Sequence, residues 1–276
     1  MSAPENGRDM VGDLFAPLPR SAMVPEVQEA LGVTREKAEE IVDRFDELVS
    51  TPLENNLKKL SGRDLAKRNP MIYLARGVRA VEEWVDRVLD DKETSAIEAH
   101  LGMWQEDVAR IVSGGTKPGA GADLMLERDG IIELYAIQTS FNTKNSSSKK
   151  AEVDALRGAA AALRSQRMLV SLNIGVLNGR KKTAALGSDP NITVVASDEF
   201  WERVSGIPDF RARLIKASMI LAPLVRRRAA DQVARIKQEA LALFDDGGGG
   251  LNVEAVTDPP RQTRLKKSLA KTEGAA

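Results

Sequence analysis

The chain has 276 residues, 42% of them hydrophobic and 4% aromatic, and its 40 basic side chains balance 40 acidic ones. That length buries a core without staples, and zero formal charge excludes a polycation that coats nucleic acid while leaving room for a local basic groove. Without cysteine, and with His100 as its one histidine, the chain has no disulfide, thiolate zinc site, cysteine nucleophile or multi-histidine site, so any metal must be held mainly by oxygen ligands, which points to a magnesium-like ion.

No apolar run reaches the about 18 residues of a membrane span, and the polar, proline-bearing start lacks a signal-peptide core. The expected location is cytoplasmic, with no membrane partner. Residues 1–20 carry Pro4, Gly7, Gly12, Pro17 and Pro19 and are expected to be a flexible leader. Val27, Leu31 and Val33 then precede Thr34, an N-cap residue type, and Ala38, Ile41, Val42, Phe45 and Leu48 recur at helical spacing. Two helices around Gly32-Val33-Thr34 read as a helical hairpin packed on the main domain or as a small helix-turn-helix. Residues 21–68 are taken as an N-terminal helical region.

Asn69-Pro70 marks a turn or helix start. Leu74, Val78, Val81, Val85, Val88 and Leu89 predict a helix over 71–90. Ile97, Leu101, Trp104, Val108 and Ile111 predict a second from about Ser95 to Val112, stopped by Gly114-Gly115. Asp123 to Arg128 and Ile131 to Gln138 are strand-like and joined by Asp129-Gly130, a strong hairpin signal. A polar loop is expected over Thr139 to Lys150 and an alanine-rich helix over 151–166. Strands follow at Met168 to Leu177 and Ile192 to Ala196, then a short helix opened by Ser197-Asp198-Glu199. A long helical region covers about 208–244 with a break expected near Pro223, and 247–276 reads as a flexible basic tail. Residues 69–246 are taken as the α/β domain with its C-terminal helices.

Strand alternation puts Ala136 and Gln138 on one face of the second strand and Glu133, Tyr135 and Ile137 on the other. Asp123 lies 6 residues before Asp129 and Gln138 lies 8 after Gly130, so the two strand ends are expected side by side. An acidic strand end facing a polar side chain can hold a divalent cation; the plainer alternative is a solvated carboxylate. Glu106 lies opposite the Trp104 stripe, an ordinary solvent position. Yet its helical neighbours Gly102, Ala109 and Ser113 are small, so that face can approach another backbone closely. Asn142, Lys144, Asn145, Ser146, Ser147, Ser148, Lys149 and Lys150 form a donor-rich stretch opening a helix, the setting that favours phosphate. Arg157, Arg164 and Arg167 behind it, and Arg180-Lys181-Lys182 later, read as solvated charge singly and as phosphate contacts beside a metal site. No Walker or dinucleotide glycine signature is present, which disfavours a nucleotide hydrolase.

Three stretches carry a family likeness. One runs from Asn69-Pro70 through Leu89 to Leu101-Gly102-Met103-Trp104-Gln105-Glu106-Asp107-Val108-Ala109. The second is Gly119 to Gly130 followed by Tyr135-Ala136-Ile137-Gln138 and on through Asn142 and Ser147. The third is Phe200-Trp201 with Ser205-Gly206. Together, spanning about 69–222, they resemble the PD-(D/E)XK nuclease superfamily, and within it the PmeII-like type II restriction endonucleases. The resemblance implies an α/β fold with a restriction-endonuclease-like core (helix, mixed β-sheet, helix, strand) inside a helical envelope. It makes Asp123 the metal-binding aspartate and Glu106 the helix glutamate that supports the metal shell. Gln138 stands where the superfamily usually has lysine, and Ala136 where it has the second acid. The first change removes a positive charge beside the reacting phosphate and the second a cation ligand; Lys144 is a candidate to replace the charge.

The expected activity is divalent-metal-dependent hydrolysis of phosphodiester bonds in double-stranded DNA, of type II restriction class, in defence against foreign DNA. Mg2+, with Mn2+ as substitute, is expected on Asp123, Glu106 and the carbonyl of Ile137, and Gln138 is expected to orient the attacking water. The expected partners are double-stranded DNA, a second copy in a homodimer, and a cognate DNA methyltransferase. The rivals are a catalytically inactive DNA-binding module on the same fold, which Ala136 and Gln138 favour, and a helical interaction protein.

Overall fold

Thr34 caps a helix as its residue type predicts: its hydroxyl accepts from the Lys37 amide at 3.4 Å. The computed structural model describes residues 20–119, 121–140 and 146–257. Helices α1 (Arg20–Leu31) and α2 (Arg35–Phe45) form a hairpin, then come a π turn (Asp46–Ser50), α3 (Thr51–Lys59), a 3-10 turn (Gly62–Lys67) and α4 (Pro70–Ala75). Helix α5 runs unbroken from Val81 to Ser113, where the apolar stripes predict two helices. Between Asp90 and Ser95 there is no glycine or proline to stop it; the actual break falls earlier, at Gly77, whose φ of 86° no ordinary residue takes readily.

Asp129 and Gly130 have φ of 53° and 77°, the left-handed pair of a two-residue hairpin turn. They join β1 (Leu124–Arg128) antiparallel to β2 (Ile131–Ser140). Helix α6 (Ser146–Ser165) then crosses to β3 (Leu169–Asn178), which lies parallel to β2. Ser146 to Lys150 are thus helical, where a loop is predicted. A short strand, β4 (Ala184–Leu186), is invisible to the apolar pattern because two of its three residues are exposed. β5 (Asp189–Val195) pairs parallel to β3 and antiparallel to β4. The five-stranded mixed sheet has the order β1-β2-β3-β5-β4. Helix α7 (Ser197–Ser205) follows, then α8 (Phe210–Phe244). α8 stays one helix through Pro223, against the expected break. The lost ladder bond concerns the carbonyl of Met219, a residue on the exposed side of the helix.

The chain divides into two compact units: residues 1–49 with 99–224, and 50–98 with 225–276. In the first, β2 is buried at Leu134, Tyr135, Ala136 and Ile137, the doubly covered pattern of a central strand. One sheet face packs Ile132, Leu134, Ala136, Leu172 and Ile174 against Val153, Leu156 and Ala160 of α6. On the other face a Cβ at Gly175 would stand 2.4 Å from the Phe200 ring, and that ring meets Tyr135 edge-on with centroids 5.7 Å apart. The α1–α2 hairpin belongs to the same unit. Phe45 stacks edge-on with Trp104 at 5.1 Å, the Trp104 indole donates to the Ile41 carbonyl at 3.2 Å, and Arg44 binds Asp107 at 2.5 Å. This is the packed-hairpin alternative of the two the sequence leaves open.

In the second unit, Leu53, Leu57, Tyr73, Trp84, Val88, Ile236 and Phe244 form a separate core. The glycine run after α8, predicted to be a flexible break, is a turn held by two carboxylates. Asp245 accepts from the Gly247 and Gly249 amides at 2.8 and 2.9 Å, and Asp246 from those of Gly248 and Gly250 at 2.8 and 3.0 Å. Helix α9 (Val253–Thr257) follows, with Val256 buried. No helix among the described residues is long and apolar enough to cross a membrane.

Replacing Gly175 with alanine forces the Phe200 ring away from Tyr135, and is expected to cost about 1–3 kcal/mol, measured as a lower denaturant midpoint at unchanged m-value.

Candidate active site at the end of the hairpin

Pairing of Leu124 with Tyr135 sets the register, so one step further Asp123 stands across from Ala136. Gln138 lies two residues beyond on the same face, about 7 Å along the strand. The expected side-by-side meeting of Asp123 and Gln138 is therefore off by one such step, because the turn-to-residue counts of 6 and 8 are unequal. Asp123 is tied to β2 at two points. Its amide donates to the Tyr135 carbonyl at 2.8 Å, and its carboxylate Oδ2 accepts from the Ile137 amide at 2.7 Å. The carboxylate takes over the ladder where β1 ends, and one bond on Oδ2 leaves Oδ1 lone pairs for another ligand. Ile137's carbonyl leaves the strand on the same side as its amide, towards Asp123.

Glu106 sits one helical turn after Gly102 in α5. A Cβ at Gly102 would lie 3.2 Å from the Thr139 hydroxyl at the end of β2, and Ala109 is fully buried. The small-residue face of the helix does approach the sheet closely, and Glu106 is half-buried rather than solvated.

Gln138 is 3% exposed. Its amide nitrogen donates to Oε2 of Glu152 in α6, and its Oε1 is buried without a hydrogen-bond partner among the described residues. The contact with Glu152 fixes the amide orientation: only the NH2 end can face a carboxylate, so the oxygen must face away from it. Sequence reasoning missed Glu152. The signal that could have found it is its place one turn into a helix that returns over the strand carrying Gln138. Among the described residues no three acidic or histidine side chains form a set that could hold a metal ion. A magnesium-like ion is less demanding, taking one or two carboxylates and keeping several waters. Asp123 Oδ1, the Ile137 carbonyl and the orphaned Gln138 oxygen are all hard oxygen donors, so the residues present fit such an ion.

Of the predicted phosphate contacts, Asn142, Lys144 and Asn145 lie outside the described residues, as does the side chain of Ser146. Lys149 is half-buried and Lys150 exposed in the first turns of α6. Both line a cavity of about 460 Å³ with Gln138, Glu152, Arg157 and Leu186. The first turn of α6 carries no acid to offset its positive end. Arg157, read from the sequence as solvated charge or, beside a metal site, as a phosphate contact, binds Asp189 Oδ2 through two nitrogens, at 3.0 and 2.7 Å, and ties α6 to β5. Arg164 likewise donates to the Val170 carbonyl at 3.1 Å. The Tyr135 hydroxyl, on the reverse face, donates to Glu133 at 2.8 Å; burial, with Glu133 beside it, pushes its phenol well above the usual range.

Arg157, followed by the Asn191 amide, holds the Asp189 carboxyl below the usual carboxylate range. A depressed carboxyl adds stability that is complete above the unfolded value of about 4 and is lost as the pH falls through the lower folded value. Arg157→Gln is expected to lower the urea midpoint at neutral pH. The gap from wild type should shrink as the pH falls below about 4, which a pH series of urea melts measures.

The family model for type II restriction endonuclease EcoO109I matches residues 38–222. That span is well over half of the chain and takes in most of α2, both hairpin strands, Gln138 and Glu152. No curated protein matches the chain.

Proposed function

The chain belongs to the type II restriction endonuclease EcoO109I family, and from that premise we propose that it is a divalent-metal-dependent endonuclease hydrolysing phosphodiester bonds in double-stranded DNA. The observation that carries this reading is Asp123. Within the matched span, its carboxylate is clamped to the Ile137 amide with one oxygen to spare, at the strand end where the small-residue face of α5 comes close. Mg2+, or Mn2+ in its place, is the proposed ion, held by Asp123, the Ile137 carbonyl and Glu106, the last directly or through water. When bound, such an ion neutralises phosphate charge and lowers the pKa of a coordinated water.

The residues do the rest. The Ile137 amide fixes the Asp123 carboxylate and removes its freedom to rotate. Gln138, locked by Glu152, offers a fixed dipole that orients water but takes no proton. The amide-rich first turn of α6, with Lys149 and Lys150, receives the DNA backbone, and Asn142, Lys144, Asn145 and Ser146 are the further contacts of this proposal. A homodimer lets one site serve each strand. Defence against foreign DNA, a cytoplasmic location, a cognate methyltransferase and the likeness to PmeII-like enzymes belong to the same proposal.

The second reading is a DNA-binding module that has lost catalysis. It is favoured by Ala136, which is 2% exposed and brings a methyl where an acid is usual, and by Gln138 in place of lysine. Plasmid cleavage separates the two readings. Wild type is expected to cut with Mg2+ and to stop with excess chelator. Asp123→Asn, which still accepts from the Ile137 amide, should fold normally and lose activity about a hundredfold or more. Cutting unchanged in that variant removes the site; DNA binding without cutting under any divalent ion favours the second reading. Light scattering over a concentration series tests the dimer, and a monomer throughout would refute it.

A further inference from the structure

Strand β2 is short of one carboxylate for the proposed chemistry, and α6 brings one. At position 136 the side chain is a buried methyl, so nothing acidic projects from β2 between the Asp123 position and Gln138. The same sheet face is covered by α6, which packs Val153 and Leu156 on Leu134, Ala136 and Ile174. Glu152 precedes Val153 and is brought down onto Gln138, whose amide nitrogen binds Glu152 Oε2. We propose that Glu152 supplies, from the helix, the second carboxylate that the strand lacks, and that Gln138 is the positioning residue that holds it there. This deepens the nuclease reading and rests on it.

Two independent observations support the assignment. The first is the Gln138 amide oxygen, on a residue 97% withdrawn from solvent and lining the cavity, with no donor among the described residues. A buried acceptor without a donor is costly. That oxygen is turned away from Glu152, and a cation on its side would satisfy it, because an amide oxygen is a hard ligand of the kind such ions take. Lysine at 138 would not offer that oxygen. The second is the lining of the cavity. Lys149 lies one turn before Glu152 and Val153, on the inward side of the helix, and it lines the same cavity as Gln138 and Glu152. A carboxylate held by the Gln138 amide nitrogen, in a cavity that a lysine also lines, suits a cation bound to a phosphodiester, with the lysine reaching the phosphate. Supplying the acid from the helix also accounts for the pairing of the two departures, Ala136 and Gln138: with the acid on α6, an amide at 138 orients it through a hydrogen bond without adding a positive charge beside the cation.

The test is Mn2+ binding to the full-length protein without DNA, read by electron paramagnetic resonance, in wild type, Glu152→Gln, Gln138→Met and Asp123→Asn, with plasmid cleavage and thermal melting alongside. Glu152→Gln keeps the shape and a hydrogen bond to Gln138, so its melting temperature should stay near wild type. Its Mn2+ affinity should fall about tenfold or more, as it should in Asp123→Asn, with a smaller loss in Gln138→Met. Wild-type affinity and cutting in Glu152→Gln, while Asp123→Asn loses both, would overturn the role of Glu152 and leave the nuclease site standing. Absence of Mn2+ binding and of cutting in wild type would overturn the nuclease reading and this proposal with it. If Glu152→Gln melts early, Gln138→Met decides: unchanged Mn2+ affinity there overturns the proposal, and weakened affinity in a stably folded protein supports it.

Discussion

The bond from the Ile137 amide to the Asp123 carboxylate is the constraint on which the site depends. β1 stops at Leu124, and a backbone donor just beyond a strand end must find a partner or lose about 1–3 kcal/mol if it is buried. Asp123 supplies that partner from its side chain. The same bond that completes the sheet therefore fixes a carboxylate at its edge, in one orientation, with a second oxygen turned outward. A residue that would be free to sample rotamers on an open strand is held by the ladder itself.

The rest of the unit is arranged around that strand end. Gly175 lets Phe200 close one face of β2 and β3, and Tyr135 is clamped beneath it. On the other face α6 lies along the strands, so its first turns stand over the C-terminal end of β2, where Gln138 sits. The Arg157–Asp189 pair pins α6 to β5 and so fixes where Lys149 and Glu152 fall relative to the strand. Arg157 thereby serves position rather than charge: its guanidinium is spent on Asp189. On α5, Gly102 allows close approach to Thr139 and carries Glu106 toward the same end of the sheet.

A parallel strand followed by a returning helix concentrates polar groups at one place for a general reason. The carbonyl end of the central strand and the amide end of the next helix are only a short connection apart. Their unsatisfied backbone groups make that edge the natural seat for a charged ligand. In this chain that edge carries Gln138, Glu152 and Lys149 around one cavity, and Asp123 is tied to Ile137 next to Gln138 on β2. The proposed chemistry needs no histidine or cysteine, in keeping with a sequence that has almost none.

The sequence by itself determined the local elements. Asp129-Gly130 dictated the hairpin, because few other pairs accept two positive φ angles; Thr34 dictated a helix start; and the apolar run in β2 announced a central strand. Asp123, Gln138 and the small face around Glu106 were legible as a cluster for the same local reasons, since each lies at a strand end or on one helix stripe. The tertiary structure alone decided the continuity of α5 and α8 and the capture of Arg157 by Asp189. It alone brought Glu152 onto Gln138. Spacing along a chain reports which residues share a face of one element, but the meeting of a helix residue with a strand residue depends on how the connecting segment turns and on what packs beneath the helix. Neither of these is written in the periodicity of either element.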